Sequence, residues 1–225
     1  MDRELEKEVA ANAALNYVND GATLGLGTGS TIKFFIEKLA VKVRHGFSVT
    51  CVATSKKTEQ LAKSMGINVL DSVSRLDIDV DGADEIDSSG NMIKGGGGAL
   101  FREKIVAYNS KKVIIIADSS KLHPSGIGDS GVPVEVNPYL AESTKINLEK
   151  LGGICKFRSE GKFYTDNGNM IIDCHFGILL NPGSMEQRIK MIPGVVEVGI
   201  FTNLADVLLM GRGKDVEVME FKRNV

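Results

Sequence analysis

The segment Val113-Ile114-Ile115-Ile116-Ala117 constrains this chain most. An unbroken apolar run dominated by β-branched residues suits a strand covered on both faces, where a half-buried strand would alternate. Strands of that kind belong to parallel sheets with helices on either side. The preceding residues keep the same rhythm. Leu5, Val9, Ala13 and Tyr17 recur every four residues and predict a helix over 3–19, stopped by Asn19-Asp20-Gly21. A short strand at 23–26 runs into Gly27-Thr28-Gly29-Ser30-Thr31, and a helix follows with Ile32, Phe35, Ile36 and Leu39 on one face. A strand at 49–53, a helix at 56–65 and a strand at 78–81 complete the alternation. It predicts a doubly wound, mostly parallel, Rossmann-like α/β sheet. Ligands bind such sheets at the carboxyl ends of the strands. The segments 27–31, 81–85 and 118–121 each follow a predicted strand end.

The rhythm changes at 124–133, a stretch rich in Gly, Ser and Pro. Strands at 132–136, 154–158, 170–176 and 195–201 alternate with helices at 139–151 and 184–192. The order β-α-β-β-α-β predicts a second, smaller ferredoxin-like α+β domain. The expected division is therefore 1–130 plus 205–225 for the larger, catalytic domain and 131–204 for the smaller.

Composition excludes several function classes. With 225 residues and a net charge of −2, the chain gives no electrostatic reason to expect nucleic acid or an anionic membrane as partner. No apolar run reaches membrane-spanning length. The charged start, Met1-Asp2-Arg3-Glu4, lacks the apolar region of a signal peptide, so a cytoplasmic enzyme is expected. The three cysteines, Cys51, Cys155 and Cys174, are far apart and form no CxxC pair. They predict buried free thiols in a reducing compartment, not a zinc site or a disulfide framework. His45, His123 and His175 form no metal-ligand pair.

Chemistry is concentrated in a few segments. Four consecutive glycines in Lys94-Gly95-Gly96-Gly97-Gly98-Ala99-Leu100 cost backbone entropy, and a chain keeps them where the backbone must approach a ligand or take a positive φ. The run opens onto a helix, so its N–H groups suit an anion. Glu103, early in that helix, has the placing of a base; most helix glutamates simply pair with surface cations. Gly27-Thr28-Gly29-Ser30-Thr31 offers hydroxyls and a helix start to a phosphate, yet also reads as an ordinary turn with Ser30 or Thr31 as N-cap. Asp81-Gly82-Ala83-Asp84-Glu85-Ile86-Asp87 holds four acids in seven residues without the spacing of an EF-hand. At a strand end, Asp81 and Asp84 suit sugar hydroxyls and proton transfer; elsewhere such a cluster is a solvated loop. Lys94 and Lys121 flank motifs. Lys7, in the first helix, has the weaker case.

Together, Gly-Thr-Gly-Ser-Thr at 27–31, Asp-Gly-Ala-Asp-Glu-Ile at 81–86, Lys-Gly-Gly-Gly-Gly-Ala-Leu at 94–100, Arg-Glu-Lys-Ile at 102–105 and Asp-Ser-Ser-Lys at 118–121 resemble ribose-5-phosphate isomerase, type A. Pro133-Val134-Glu135-Val136 and Ile192-Pro193-Gly194-Val195-Val196-Glu197 extend the resemblance over nearly the whole chain. The resemblance implies metal-independent, cofactor-free interconversion of ribose 5-phosphate and ribulose 5-phosphate in the pentose phosphate pathway. Glu103 would be the catalytic base, with Asp81, Asp84 and Lys94 also catalytic. The substrate would be held by Thr28, Gly29, Ser30, Thr31, Asp81, Gly82, Ala83, Asp84, Lys94, Gly95, Gly96, Gly97 and Lys121. A homodimer or homotetramer is implied, since the family's small domain is associated with subunit contacts. Rival readings are a sugar-phosphate deaminase or CoA transferase of related design, a non-catalytic sugar-phosphate sensor, and a nucleotide-dependent methyltransferase.

Overall fold

A computed structural model describes residues 2–223. In chain order the elements are α1 (Arg3–Ala14), β1 (Ala22–Leu26), α2 (Ser30–Arg44), β2 (Val49–Ala53), α3 (Lys56–Ser64), β3 (Leu76–Asp81), β4 (Glu85–Ile86), β5 (Met92–Ile93), α4 (Leu100–Tyr108) and β6 (Ser110–Asp118). They continue as β7 (Val132–Val136), α5 (Ala141–Glu149), β8 (Ile154–Phe157), β9 (Met170–His175), α6 (Pro182–Lys190), β10 (Val195–Val198), β11 (Ile200–Phe201), β12 (Val207–Arg212) and β13 (Asp215–Glu220). The chain divides into two compact units, one of residues 1–83, 102–121 and 204–225, the other of 84–101 and 122–203. The second unit thus takes in residues 84–101 and 122–130, which the expectation of a small domain at 131–204 assigned to the larger one.

The first unit is built on a six-stranded sheet in the order β13-β12-β6-β3-β1-β2. All pairings are parallel except the β12–β13 hairpin at one edge. Ile114 and Ile116 of β6 are fully buried with Leu24, Leu26, Ile78, Val80 and Leu209 of their neighbours, against Ile32, Phe35, Ile36 and Leu39 of α2. Each such side chain removed from water contributes about 1.5–3 kcal/mol. The helix predicted over 3–19 ends at Ala14 and tightens into a 3₁₀ turn over Leu15–Tyr17.

The other face of β1 and β3 is unusual. There, small residues of β1 stand beside acids of β3. Thr23 N and Oγ1 both donate to Asp77 Oδ2, at 3.0 and 2.8 Å. A Cβ on Gly25 would lie 2.6 Å from Asp79 Oδ1 and 2.4 Å from Val106 Cγ1 of α4. A Cβ on Gly27 would lie 2.0 Å from Asp81 Oδ1 and 2.6 Å from the Asp81 Cα. The glycines let the two strands pair while buried carboxylates occupy the space their side chains would take.

The second unit contains a four-stranded antiparallel sheet in the order β10-β7-β9-β8, with α5 and α6 as connections, the ferredoxin-like arrangement. Val132, Val134, Leu148, Ile172, Ile189 and Val198 lie in its core. A second small sheet, β11-β5-β4, was not foreseen. The strand predicted over 195–201 breaks at Gly199, whose hypothetical Cβ would lie 2.4 Å from the Lys94 carbonyl oxygen and 2.7 Å from that of Pro133. Beyond this break, β11 pairs with β5 instead of β7.

The expectation of free thiols fails for two cysteines. The β8–β9 register sets Cys155 directly opposite Cys174, and the two form a disulfide. Strand register across the turns between them decided this, and sequence spacing did not carry that information. Cys51 is free and buried, and burial pushes its thiol up to about 12.

Candidate active site

In the first unit the β1–α2 turn is fastened to the end of β3. Gly27 N donates to the Val80 carbonyl at 3.0 Å. Asp81 Oδ1 accepts from Thr28 N at 3.1 Å and Gly82 N at 2.7 Å, so two backbone amides hold the buried carboxylate. Thr28 Oγ1 stands 2.8 Å from Thr54 Oγ1 and donates to Ser55 Oγ at 2.9 Å. Thr58 Oγ1 closes the cluster by donating to the Gly27 carbonyl at 3.0 Å. The N-cap of α2 is Gly29 at φ 141°, and it makes no side-chain cap bond. This corrects the reading of Ser30 or Thr31 as cap: Ser30 already begins the helix. The first turn of α2 therefore starts without a side-chain cap, an arrangement that suits an anion.

Glu103 lies in α4 and is only 3% exposed. One residue, Asn109, separates α4 from β6, so the helix runs back against the strand direction. Val106 lies over Gly25. One turn earlier, Glu103 is displaced toward the carboxyl edge of the sheet, on the face that carries Asp81. Lys121 ends a single 3₁₀ turn, Ser119–Lys121, just past β6. Lys7 is largely covered, with 15% of its side chain exposed, and pairs with Glu4 Oε1 at 2.6 Å.

In the second unit the acidic cluster separates into roles. Asp84 Oδ2 accepts from Gly96 N at 2.7 Å. Glu85 is spent internally, accepting from Gly128 N at 2.6 Å and Ser130 N at 2.5 Å. Its burial works against the charge, but the hydrogen bonds from Ser130 and Gly128 outweigh that and hold the carboxyl below the ordinary glutamate range. Asp87 closes its own turn, accepting from Ser89 N and Asn91 N at 2.8 and 2.9 Å. Neither Glu85 nor Asp87 is available to a substrate.

Lys94 is 3% exposed, with Nζ 5.6 Å from the centroid of the Phe201 ring. Its N–H donates to the Gly199 carbonyl at 2.9 Å. The glycines that follow have separate reasons to be glycine. Gly95 and Gly98 take φ of 107° and 79°, where a side chain is strained. Gly96 leaves no room beside Asp84, whose Oδ1 lies 2.7 Å from its hypothetical Cβ. The expectation of a free amide cradle is corrected in part: Gly96 N is taken by Asp84, and Gly98 N by the Gly95 carbonyl at 2.9 Å. Gly97 stays exposed. Among the described residues, no group of three or more His, Cys, Asp or Glu could hold a metal ion, and no helix is long and apolar enough to cross a membrane.

Residues 50–215 match the family model for ribose 5-phosphate isomerase A, also called phosphoriboisomerase A. The chain belongs to this family. A ribose-5-phosphate isomerase A from Picrophilus torridus is 47% identical over 219 residues, covering 97% of this chain and 99% of the relative. One from Bacillus mycoides is 46% identical over 210 residues, covering 91% and 95%. A D-ribose-5-phosphate isomerase solved in complex with phospho-erythronic acid superposes with a TM-score of 0.94 at 38% identity, covering 98% of this chain and all of that one. The Plasmodium falciparum enzyme gives 0.90 at 40% identity, covering 97% and 99%.

Sequence reasoning passed over two groups around the ribose 5-phosphate isomerase A motifs. One is the hydroxyl set Thr54, Ser55 and Thr58 that receives Thr28; its signal was Thr-Ser at the end of a strand, directly before a helix. The other is Arg158. Its Nη1 donates to the carbonyls of Gly95 and Gly96 at 2.9 and 3.2 Å, while Nε and Nη2 grip Asp173 at 3.0 and 2.5 Å. Nothing in the local sequence pairs position 158 with 95 or 173.

Proposed function

We propose that this chain interconverts D-ribose 5-phosphate and D-ribulose 5-phosphate through an enediolate, as a cytoplasmic enzyme of the pentose phosphate pathway. The observation that carries the reading is the buried carboxylate of Glu103 on the face and edge of the sheet where Asp81 is anchored. Glu103 takes the C2 proton from the open-chain aldose and returns it to C1, while O1 gains a proton and O2 loses one. Lys94, a buried cation, stabilises negative charge developing on the oxygens. Asp81 and Asp84 bind hydroxyls and assist ring opening. Ser30, Thr31 and Lys121 hold the phosphate with help from Lys7, and Gly82, Ala83, Gly95, Gly96 and Gly97 line the sugar with backbone. The relative bound to phospho-erythronic acid supports this assignment, because that ligand joins a phosphate to a carboxylate resembling a planar, anionic enediolate.

The test follows ketose formation from ribose 5-phosphate in excess chelator, where turnover is expected to continue. Glu103→Gln is expected to lose about 10²–10⁴-fold in kcat. Near-wild-type turnover in that variant would remove Glu103 from its role. We also infer a homodimer or homotetramer, on the family resemblance alone. Sedimentation at the monomer mass would refute that.

A further inference from the structure

The carboxylate of Glu6 lies inside the first unit and takes no part in the chemistry above. Its residue is 0% exposed. Oε2 accepts from Ser119 N at 3.0 Å and Ser119 Oγ at 2.7 Å, and Oε1 accepts from Gly213 N at 3.0 Å. One side chain of α1 therefore ties together two loops, the Ser119–Lys121 turn after β6 and the turn between β12 and β13. The anchor cannot retreat, because the backbone of α1 lies directly on β12: a Cβ on Gly211 would lie 2.0 Å from the Glu6 carbonyl oxygen. Its neighbours on the buried stripe of α1 are Ala10, Ala11 and Ala14. An apolar residue would suit that stripe without the cost of burying a charge. What the carboxylate adds is a fixed position for the Ser119 amide and hydroxyl.

The turn needs such an anchor. None of Ser119, Ser120 and Lys121 is buried, so apolar packing does not hold it. Within the turn, Asp118 Oδ1 accepts from Ser120 N at 3.1 Å and Ser120 Oγ at 2.5 Å, and directly after Lys121 the chain is held where His123 N donates to the Ile86 carbonyl at 2.8 Å; Glu6 is the anchor at Ser119. Lys121 is the last residue of this turn, two positions beyond the one Glu6 grips. We propose that Glu6 is a positioning residue that sets Lys121 for binding the substrate's phosphate; this rests on Lys121 being a phosphate ligand. Losing hydrogen bonds to a buried carboxylate displaces the turn and weakens binding of substrate and of inorganic phosphate alike, while the groups acting at C1 and C2 stay in place.

A double-mutant cycle on the full chain tests this, using Glu6→Gln, Lys121→Met and the pair, with kcat, KM for ribose 5-phosphate and the inhibition constant of inorganic phosphate as readouts. Glu6→Gln is expected to raise KM and the phosphate inhibition constant about 10-fold and to leave kcat within about 3-fold. In the Lys121→Met background the same change is expected to add less than about 2-fold. Equal rises in both backgrounds, or a loss in kcat with KM unchanged, would show a merely structural role and overturn the proposal. No effect of Glu6→Gln beside a clear effect of Lys121→Met would overturn the positioning alone. No effect of Lys121→Met would overturn the phosphate reading of that lysine and the positioning with it. Should Glu6→Gln fail to fold, Ser119→Ala removes only the hydroxyl bond. It is expected to raise KM about 3-fold, again only when Lys121 is present.

Discussion

Gly27→Ala adds one methyl group where the structure has none to spare. The new carbon would lie 2.0 Å from Asp81 Oδ1, 2.2 Å from Asp81 Cγ and 2.6 Å from Asp81 Cα. A carboxylate can rotate away, but a backbone Cα cannot, so β1 and β3 must separate by several tenths of an ångström or more. Overpacking of this kind costs about 1–3 kcal/mol. For a chain of this size, Tm should fall by about 2–4 °C per kcal/mol, or roughly 2–12 °C in all. Activity should fall further, because Asp81 loses its alignment with Thr28 N and Gly82 N. A displacement approaching 1 Å at such a group costs about 10²-fold in turnover. Gly82→Ala is the matched control for stability alone, since Gly82 also lines the proposed sugar site: its Cβ meets only the Ile116 carbonyl oxygen, at 3.7 Å, and Gly82 does not take a positive φ. Thermal unfolding and kcat would be measured on both variants. If Gly27→Ala keeps wild-type Tm and turnover, or if Gly82→Ala loses as much Tm, the packing of β1 against Asp81 is not what sets this end of the site.

Arg158→Met should lower kcat about 10-fold with only a small fall in Tm, since it frees the carbonyls of Gly95 and Gly96 while the half-buried Asp173 can rehydrate; unchanged kinetics would show that the glycine run holds its shape unaided. The lowered pKa of Glu85 gives stability that is present above the ordinary glutamate value and lost as pH falls through the lowered folded value. Glu85→Gln should therefore lower the urea midpoint near about pH 7 and converge with the wild type in acid. A gap that widens in acid would reverse the sign of that argument.

The strand ends and their motifs were legible because periodicity and glycine placement act locally. The run at 113–117 is buried throughout, and Gly27, Asp81 and Lys121 all fall where strands of one sheet finish. Pairing across long stretches of chain was not legible. The break at Gly199, whose carbonyl accepts from Lys94 N just past β5, depends on close approach to two carbonyls distant in sequence. Arg158 reaches the glycine run from a loop more than sixty residues away. The acids at 81–87 looked alike as a string, yet Glu85 and Asp87 are consumed by loop amides that only the folded chain brings near.

The Cys155–Cys174 bond has a consequence for the protein's life in a cell. Both residues are essentially sealed from solvent, at 2% and 0% exposure, in the centre of the β8–β9 pairing. Thiol–disulfide exchange requires an attacking thiolate to reach one of the sulfurs. Glutathione can do that only when the two strands part, an event whose frequency is set by local unfolding. In a reducing compartment the reduction of this pair therefore follows the parting of β8 from β9, the edge pair of its sheet. Two batches of one sequence, folded under different redox conditions, converge only as fast as those two strands open.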